Sequence, residues 1–308
     1  MLASIFGTPG CGKTVFLGLL YETMVQFTNS PENEGPGEMR FTMEPQETKA
    51  FGDIRLDLLS GKWPSPTSAD LISHCRMEIG FRKGNFLGLL SSQDFEAISI
   101  QNLDIGPRDA RALQETSFFQ EAMASGDLSG NIDIGSFSES FRDALECDVL
   151  VLPLDSDVLP TENGLPLAQV KEVDAMYTTI VGAIKRHELR RNGDRRGPVR
   201  IQPVIFLIRS EPERGQSDDL TSDSRTGIVE KVIRQHLPMT VSSIEEGQTG
   251  KVRFEKIKTY DSWLRTEANE GGVQIPAYRT GQGQVGLDYS YEEHVSFIKL
   301  LSKTVRRK

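Results

Sequence analysis

The chain contains the stretch GTPGCGKT at residues 7–14, after the apolar segment LASIF (2–6) and before the run VFLGLLYE (15–22). This stretch matches the pattern G-x-x-x-x-G-K-[ST] in full. Its glycines allow the backbone to turn successive N–H groups inward, where they can surround phosphate oxygens. A helix that follows would direct its positive end at the same place. The stretch therefore predicts a phosphate-binding loop between a buried strand and an amphipathic helix.

The loop residues have distinct expected roles. Lys13 supplies a flexible positive charge for the β- and γ-phosphates, and Thr14 presents a hydroxyl suited to Mg²⁺, which takes few protein ligands. Cys11 is expected to serve packing, and a redox-sensitive thiolate near the helix start is the alternative. We expect the phosphates to lie against a run of consecutive residues: Pro9, Gly10, Cys11, Gly12, Lys13, Thr14 and Val15.

Two residues outside the loop are candidates for the metal site. Asp104 ends the strand-like run FEAISIQNLD, just before a turn with Gly106 and Pro107. A carboxylate there can hold the water shell of Mg²⁺ while the turn senses the γ-phosphate, or it can simply cap local N–H groups. Thr67 lies on the proline-rich stretch GKWPSPT (61–67). It can complete the Mg²⁺ shell from there, or it is an ordinary loop threonine.

Apolar patterning along the chain predicts an α/β fold of three layers, with a mostly parallel sheet between helices. Alternation in SHCRMEIGF (73–81) and the run FEAISIQNL (95–103) predict one antiparallel strand pair over 73–103. The other predicted strands are 2–6, 147–155, 202–210 and 251–260, and the predicted helices are 13–27, 47–59, 168–190, 224–237 and 289–305.

The same patterning predicts a single P-loop NTPase domain over residues 1–308, because neither an internal repeat nor a clear linker is visible. Long loop insertions are expected at four places: 28–46, 105–140, 211–222 and 262–288.

Composition narrows the classes of partner. The 308 residues carry a net charge of −9, which argues against nucleic acid. No apolar run approaches the length of a membrane helix, so we expect no membrane partner. The three cysteines and four histidines have no metal-like spacing, and reduced thiols fit a cytoplasmic location.

Four pieces of the chain together resemble the double-GTPase proteins of the TRAFAC class of P-loop GTPases: GTPGCGKTVFLGLLYE, LLSGKWPSPT, LDIGPRD and CDVLVLPLD. The resemblance extends to about residue 300. It implies a Mg²⁺-dependent GTPase in which Lys13 binds phosphate, Thr14 and Thr67 ligate Mg²⁺, and Asp104 is the second-switch aspartate. It also implies a protein partner or self-association.

Two departures from that family leave alternatives open. The family pattern Asp-x-Pro-Gly is replaced by DIGP at 104–107. The guanine-reading motif Asn/Thr-Lys-x-Asp would fall on IRSE at 208–211, where Arg209 can stack on a base and Glu211 can accept hydrogen bonds from guanine. Glutamate is one methylene longer than aspartate, which weakens such discrimination. The resemblance favours GTP over ATP, but ATP, weak selectivity and a charged loop without base contact stay open because of this departure.

Three functions compete on these residues. The first is an NTP hydrolase of GTPase type that acts as a slow molecular switch, because no glutamine follows Asp104 to orient water. The second is a small-molecule or nucleoside kinase, with RHELRRNGDRR (186–196) as the only lid-like segment. The third is a nucleotide-binding interaction module with little catalysis. An antiparallel strand pair between the loop helix and Asp104 favours the switch over the kinase.

Overall fold

A computed structural model gives the fold of the chain. It describes residues 1–8, 10–33, 39–43, 45–65, 77–81, 98–105, 107–127, 130–159, 167–191, 198–211, 222–246, 252–281 and 284–305.

The described strands, in chain order, are β1 (Leu2–Gly7), β2 (Met39–Met43), β3 (Met77–Phe81), β4 (Ser99–Asp104), β5 (Val149–Asp155), β6 (Val199–Glu211), β7 (Val252–Phe254), β8 (Lys258–Ala268), β9 (Gln274–Pro276), β10 (Tyr278–Gly281) and β11 (Gln284–Leu287). The described helices are α1 (Lys13–Thr28), α2 (Pro45–Leu59), α3 (Pro107–Gln114), α4 (Ser117–Ser125), α5 (Glu139–Ala144), α6 (Leu167–Arg191), α7 (Ser222–His236), α8 (Pro238–Glu245) and α9 (Tyr291–Val305).

A seven-stranded sheet forms the centre of the molecule, in the order β4-β1-β5-β6-β8-β9, with β7 paired to β6. The contacts among β4, β1, β5, β6, β7 and β8 are parallel, and β9 adds an antiparallel strand at the edge. Strands β1, β5 and β6 lie in the interior of the sheet, and because helices pack on both of its faces, these strands have nearly continuous apolar sequences.

Helices cover both faces of this sheet. Successive strand residues point to opposite sides, so Ile5 and Val151 join a core with α1, α2 and α9, whereas Phe6 and Leu152 join a core with α3 to α8. The chain is thus a three-layer α/β protein with a mostly parallel sheet, and the prediction of fold class is confirmed.

One predicted strand is divided into two strands in the structure. The predicted strand 251–260 corresponds to β7 and the start of β8, which pair with successive parts of the long strand β6. Between them, Pro203 has no N–H to donate, and the side-chain amide of Gln202 donates to the Lys256 carbonyl at 2.8 Å instead. The break therefore has a local hydrogen-bonding cause.

The prediction of an antiparallel pair over 73–103 is wrong in its partner. Strand β3 pairs antiparallel with β2, with Met39 opposite Phe81, whereas β4 pairs in parallel with β1. Alternation identifies a strand but not the strand it pairs with, because pairing depends on tertiary contacts. An antiparallel pair still lies between α1 and β4 in the sequence.

Three of the predicted loop insertions contain regular structure. Segment 28–46 contributes β2, segment 105–140 contributes α3 and α4, and segment 262–288 contributes β9, β10 and β11. The sequences of these segments are polar and rich in turn residues, so they showed no periodic pattern from which the short helices and strands could be predicted. Most of segment 211–222 lies outside the described residues.

None of the helices in the described ranges combines the length and the apolar character needed to cross a membrane.

Candidate functional site

The predicted phosphate loop lies where its sequence context required. It connects the end of β1 at Gly7 to the start of α1 at Lys13. Gly10 and Gly12 have φ of 80° and 79°, in the left-handed region that L side chains rarely adopt. A Cβ on Gly12 would lie 2.8 Å from Cγ2 of Ile208, at the end of β6. Both backbone angle and close packing therefore require glycine at position 12.

Gly7 is enclosed by side chains of the loop and of strand β5. A Cβ at this position would lie 2.7 Å from Sγ of Cys11, 2.8 Å from Cγ of Pro153 and 2.9 Å from Cδ of Lys13. The first glycine of the motif thus gives the lysine stem and the cysteine room to fold beneath the loop.

Lys13 is held against the loop by backbone carbonyls. Its side chain is buried, and Nζ donates to the carbonyl oxygen of Gly7 at 2.8 Å and of Thr8 at 2.7 Å. Nζ also lies 3.6 Å from Sγ of Cys11. The ammonium therefore directs its three N–H donors at loop atoms, and its positive charge is fixed at the loop.

Cys11 is a packing residue in this geometry. It is only 4% exposed, and burial raises the pKa of its thiol, an effect that the nearby Lys13 charge opposes. A buried, protonated thiol is a poor nucleophile. The geometry therefore favours the packing role over the redox alternative.

The first turn of α1 carries no acidic residue. Its N-cap residue is Gly12, which has no side chain to cap the N–H groups of that turn. Thr14 and Val15 lie in this turn, and both are half-buried. Val15 packs against the core on the α1 side. The positive end of the helix is thus not neutralised by a carboxylate of its own first turn, which suits a bound anion.

Asp104 ends the strand next to the loop. It is the last residue of β4, and its backbone is in register with Gly7 at the end of β1. Neighbouring strands lie about 4.8 Å apart, so the two strand ends meet beside the loop. Ile105 is fully buried, and α3 begins at Pro107, which has no N–H to offer a phosphate. The metal role of Asp104 stays a prediction.

Thr67 and Pro9 lie outside the described residues. Residues 61–65, which precede Thr67 in the sequence, are described, and they are anchored to the sheet edge through Trp63. The indole Nε1 of Trp63 donates to the carbonyl of Gln274 in β9 at 2.8 Å. Gly61 follows the end of α2, has a φ of 68° and lies beside the Tyr278 hydroxyl. The chain leading to Thr67 therefore starts from a fixed point.

The stretch 208–211 lies within strand β6, in agreement with the strand predicted over 202–210, and the strand continues to Glu211. Arg209 pairs in register with Trp263 of β8. The guanidinium of Arg209 donates twice to Asp261, from Nε at 2.9 Å and from Nη2 at 2.6 Å. The alternative of a charged loop after the strand therefore does not hold for Arg209, which lies within β6. Base recognition by Arg209 and Glu211 stays a prediction.

A pocket of about 150 Å³ opens beside the loop. Thr8, Gly10 and Cys11 line it from the loop, and Asp155 and Tyr177 line it from β5 and α6. Burial raises the pKa of the Asp155 carboxyl, and the Tyr177 hydroxyl donates to the carbonyl of Pro153. The pocket walls are therefore fixed by packing and a buried hydrogen bond.

Within the described ranges, no group of three or more His, Cys, Asp and Glu side chains is arranged to hold a metal ion. Mg²⁺ bound with a nucleotide needs only one or two protein ligands, with phosphates and waters as the others. The hydroxyl of Thr14 and the position of Asp104 at the strand end fit that smaller set.

Sequence reasoning did not identify the residues that support the site from a distance. Ile208 packs against Gly12, Pro153 lies against Gly7, and Asp261 pairs with Arg209 across 52 positions of sequence. Each lies in a strand whose pattern indicates only burial. No local signal could have assigned their contacts.

The fold and site define a class: a three-layer α/β protein with a P-loop motif between its first strand and first helix. No protein-family model matches the chain, and no curated protein matches it. A solved structure of the signal recognition particle receptor SRb-GTP/SRX complex from Chaetomium thermophilum is similar at 12% identity and a TM-score of 0.33, covering 85% of this chain and 93% of that one. That likeness is distant, so the function of this chain has to be inferred from its own residues.

Proposed function

We propose that the chain is a Mg²⁺-dependent P-loop nucleotide-binding protein that hydrolyses a purine nucleoside triphosphate slowly, as a switch of GTPase type. The observation that carries the proposal is the placement of Lys13. Its ammonium is held by the carbonyls of Gly7 and Thr8 in a loop that two left-handed glycines shape. A triphosphate would meet this charge and the N-terminal end of α1 together.

Mg²⁺ supplies charge neutralisation for the phosphates when it is bound. Thr14 would hold it through the side-chain hydroxyl, and Thr67 and Asp104 would complete or support its shell. The resemblance to double-GTPase proteins suggests GTP over ATP, a protein partner or self-association, and a cytoplasmic location. No carboxylate in the first turn of α1 competes with the phosphates of the nucleotide.

Slow turnover is part of the proposal because no glutamine follows Asp104 to orient an attacking water. Ile105 is buried, and the helix that follows begins at once with Pro107. The same observation supports a second candidate, an interaction module that binds nucleotide with little catalysis. The kinase alternative is less favoured, because the antiparallel pair β2–β3 lies between α1 and β4.

A phosphate-release assay with GTP and ATP in parallel separates these functions. We expect slow release without any acceptor, and loss of release in Lys13→Ala. Lys171→Ala is the matched control, because Lys171 is an exposed lysine on α6. Binding without release would support the module, and loss of γ-phosphate only with an acceptor would support a kinase.

A further inference from the structure

The sheet ends, opposite β4, at strand β9, which follows β8 through a tight turn. Hydrogen bonds fix this turn. The side-chain oxygen of Asn269 accepts from the N–H groups of Gly271 at 2.9 Å and Val273 at 3.0 Å. Val273 nevertheless has 58% of its side chain exposed. The turn therefore holds an apolar side chain out in solvent on a fixed backbone.

Trp63 lies on the outer side of the same strand. The carbonyl of Val273 accepts from the N–H of Asn269, just after β8, so the next carbonyl, that of Gln274, points away from β8. The indole of Trp63 donates to this outward carbonyl at 2.8 Å, and 40% of the Trp63 side chain is exposed. A second large apolar side chain is thus held in place at the sheet edge.

Ile275 connects these two side chains into one strip. It lies two residues after Val273, so both side chains point to the same face of the strand. A Cβ built on Gly61 would lie 3.5 Å from Cδ1 of Ile275, which places that face beside the segment that carries Trp63. Contiguous exposed apolar side chains mark interaction sites, and tryptophan is enriched among the residues that dominate binding.

Charges of opposite sign border this strip. Lys62 is exposed and precedes Trp63, on the outer side of β9. On the inner side, Glu267 of β8 is exposed and pairs in register with Ile275, so its side chain shares the face of the strip. Glu270, in the turn, is exposed as well. A cation therefore lies on one side of the strip and two carboxylates lie on the other.

This inference rests on the self-association included in the proposed function: we propose that the chain forms a homodimer through this surface. The β9 surface comprises Lys62, Trp63, Glu267, Glu270, Val273 and Ile275. In a two-fold interface, residue i contacts residue j and j contacts i. An axis through the strip therefore brings Lys62 of each copy against the carboxylates of the other. A surface with both signs around an apolar centre is complementary to its own copy.

The interface leaves the phosphate loop out of the contact. Strand β9 is four places from the loop strand β1, roughly 19 Å along the sheet. We therefore expect association without any nucleotide. Because only a few side chains form the contact, the dissociation constant should be micromolar, as in small transient interfaces.

The experiment is sedimentation velocity of the full chain without nucleotide, from micromolar to near-millimolar concentrations. Wild type should show a reversible monomer–dimer equilibrium. Val273→Glu should weaken association at least about tenfold, because it puts another carboxylate into the strip beside Glu267. The matched control is Ile228→Glu, because Ile228 is 49% exposed on α7, outside the β9 surface. That variant should associate as wild type does.

A charge exchange tests the two-fold arrangement itself. Lys62→Glu and the double variant Glu267→Lys/Glu270→Lys should each self-associate more weakly than wild type, because like charges then oppose each other. An equimolar mixture of these two proteins should form a heterodimer more tightly than either protein forms a homodimer. In the mixture, opposite charges meet on both sides of the axis. All three positions are exposed, so the substitutions leave the core unchanged.

Wild type that sediments as a monomer at every concentration would overturn the inference, because the β9 surface would then not bind its own copy. A dimer that Val273→Glu leaves intact, or a mixture no tighter than its two components, would overturn it as well. The phosphate-release assay separates the two proposals. Release by a monomeric protein overturns only the dimer, whereas a dimer that binds no nucleotide supports this inference and overturns the proposed nucleotide function.

Discussion

The phosphate loop after β1 and the paired strands β6 and β8 belong to the same sheet but are built in different ways. At the loop, backbone conformation determines the shape: Gly10 and Gly12 are left-handed, and Lys13 bonds to the carbonyls of Gly7 and Thr8. Between β6 and β8, two charged side chains from different strands, Arg209 and Asp261, form an ion pair. Local chain chemistry determines the first region, and tertiary pairing determines the second.

This difference explains how much the sequence could predict. Within the loop, each residue is a few positions from its partners, so a short motif contains the geometry. The Arg209–Asp261 pair joins residues 52 positions apart, and neither strand's pattern indicates the partner. Substitutions in the two regions are therefore expected to change the free energy of unfolding by different amounts.

The largest expected effect tests the claim that backbone geometry defines the loop. In Gly12→Ala, the new Cβ meets Ile208 at 2.8 Å and the residue must adopt φ near 79°. We expect a loss of about 3 kcal/mol in the free energy of unfolding, from left-handed strain and overpacking. Urea denaturation with the linear extrapolation measures it.

The control for this substitution is Gly52→Ala. Gly52 lies within α2, and a Cβ there meets no atom within 4 Å. Alanine should stabilise this helix by roughly 0.5–1 kcal/mol. Equal stability of Gly12→Ala and wild type would show that the loop accepts a side chain at position 12 and that glycine geometry does not define it.

The next effect tests the core behind the loop helix. His294 is fully buried, with its ring 5.5 Å from that of Phe16 in α1, and burial lowers its pKa to about 4. The unfolded chain binds a proton near pH 6.5 and the folded chain does not, so stability should fall with falling pH. From pH 7 to pH 5 this residue should remove roughly 2 kcal/mol.

The measurement is the unfolding free energy of wild type and His294→Gln across that pH range. His294→Gln should lose this part of the pH dependence, whereas His236→Gln, at the end of α7, should keep it. An identical pH dependence in wild type and His294→Gln would mean that the buried ring does not resist protonation.

The smallest effect tests the side-chain contact that anchors the chain before Thr67. Trp63→Phe keeps an aromatic ring but removes the indole donor to Gln274. Because Trp63 is 40% exposed, we expect a loss of about 0.5–1 kcal/mol in thermal or urea unfolding. Leu56→Ala, an exposed apolar residue of α2, should cost less than about 0.5 kcal/mol. A larger loss of unfolding free energy in Leu56→Ala than in Trp63→Phe would mean that packing of α2, and not the Trp63 indole, anchors this segment.

Much of the fold followed from the sequence because its signals are local. The apolar runs at 147–155 and 202–210 correspond to β5 and β6, and the periodic segment 168–190 corresponds to α6. Strand pairing did not follow. The partner of β3 is β2, which lies in a stretch that the sequence indicated as loop. Pairing of this kind is set by which strands meet in three dimensions, and turn-rich composition concealed β2.

The candidate site divides in the same way. The motif located Gly10, Gly12 and Lys13 and their surroundings, since a strand, a tight turn and a helix each leave a sequence pattern. The apolar run 202–210 placed Arg209 in a strand, but no pattern in the sequence indicated its pairing with Asp261 of β8. The roles of Thr67, Asp104 and Glu211 stay predictions.

Calorimetric titration of magnesium tripolyphosphate, GTP and ATP into wild type, Lys13→Ala and Lys171→Ala tests the central claim most directly. We expect saturable binding of all three ligands by wild type and Lys171→Ala, and a loss of at least about tenfold for each ligand in Lys13→Ala, since a charge-assisted hydrogen bond is worth about 1.5–3 kcal/mol. Wild-type protein that takes up none of the ligands at millimolar concentration, or Lys13→Ala protein that binds them as tightly as wild type, would contradict a phosphate-binding role for the loop.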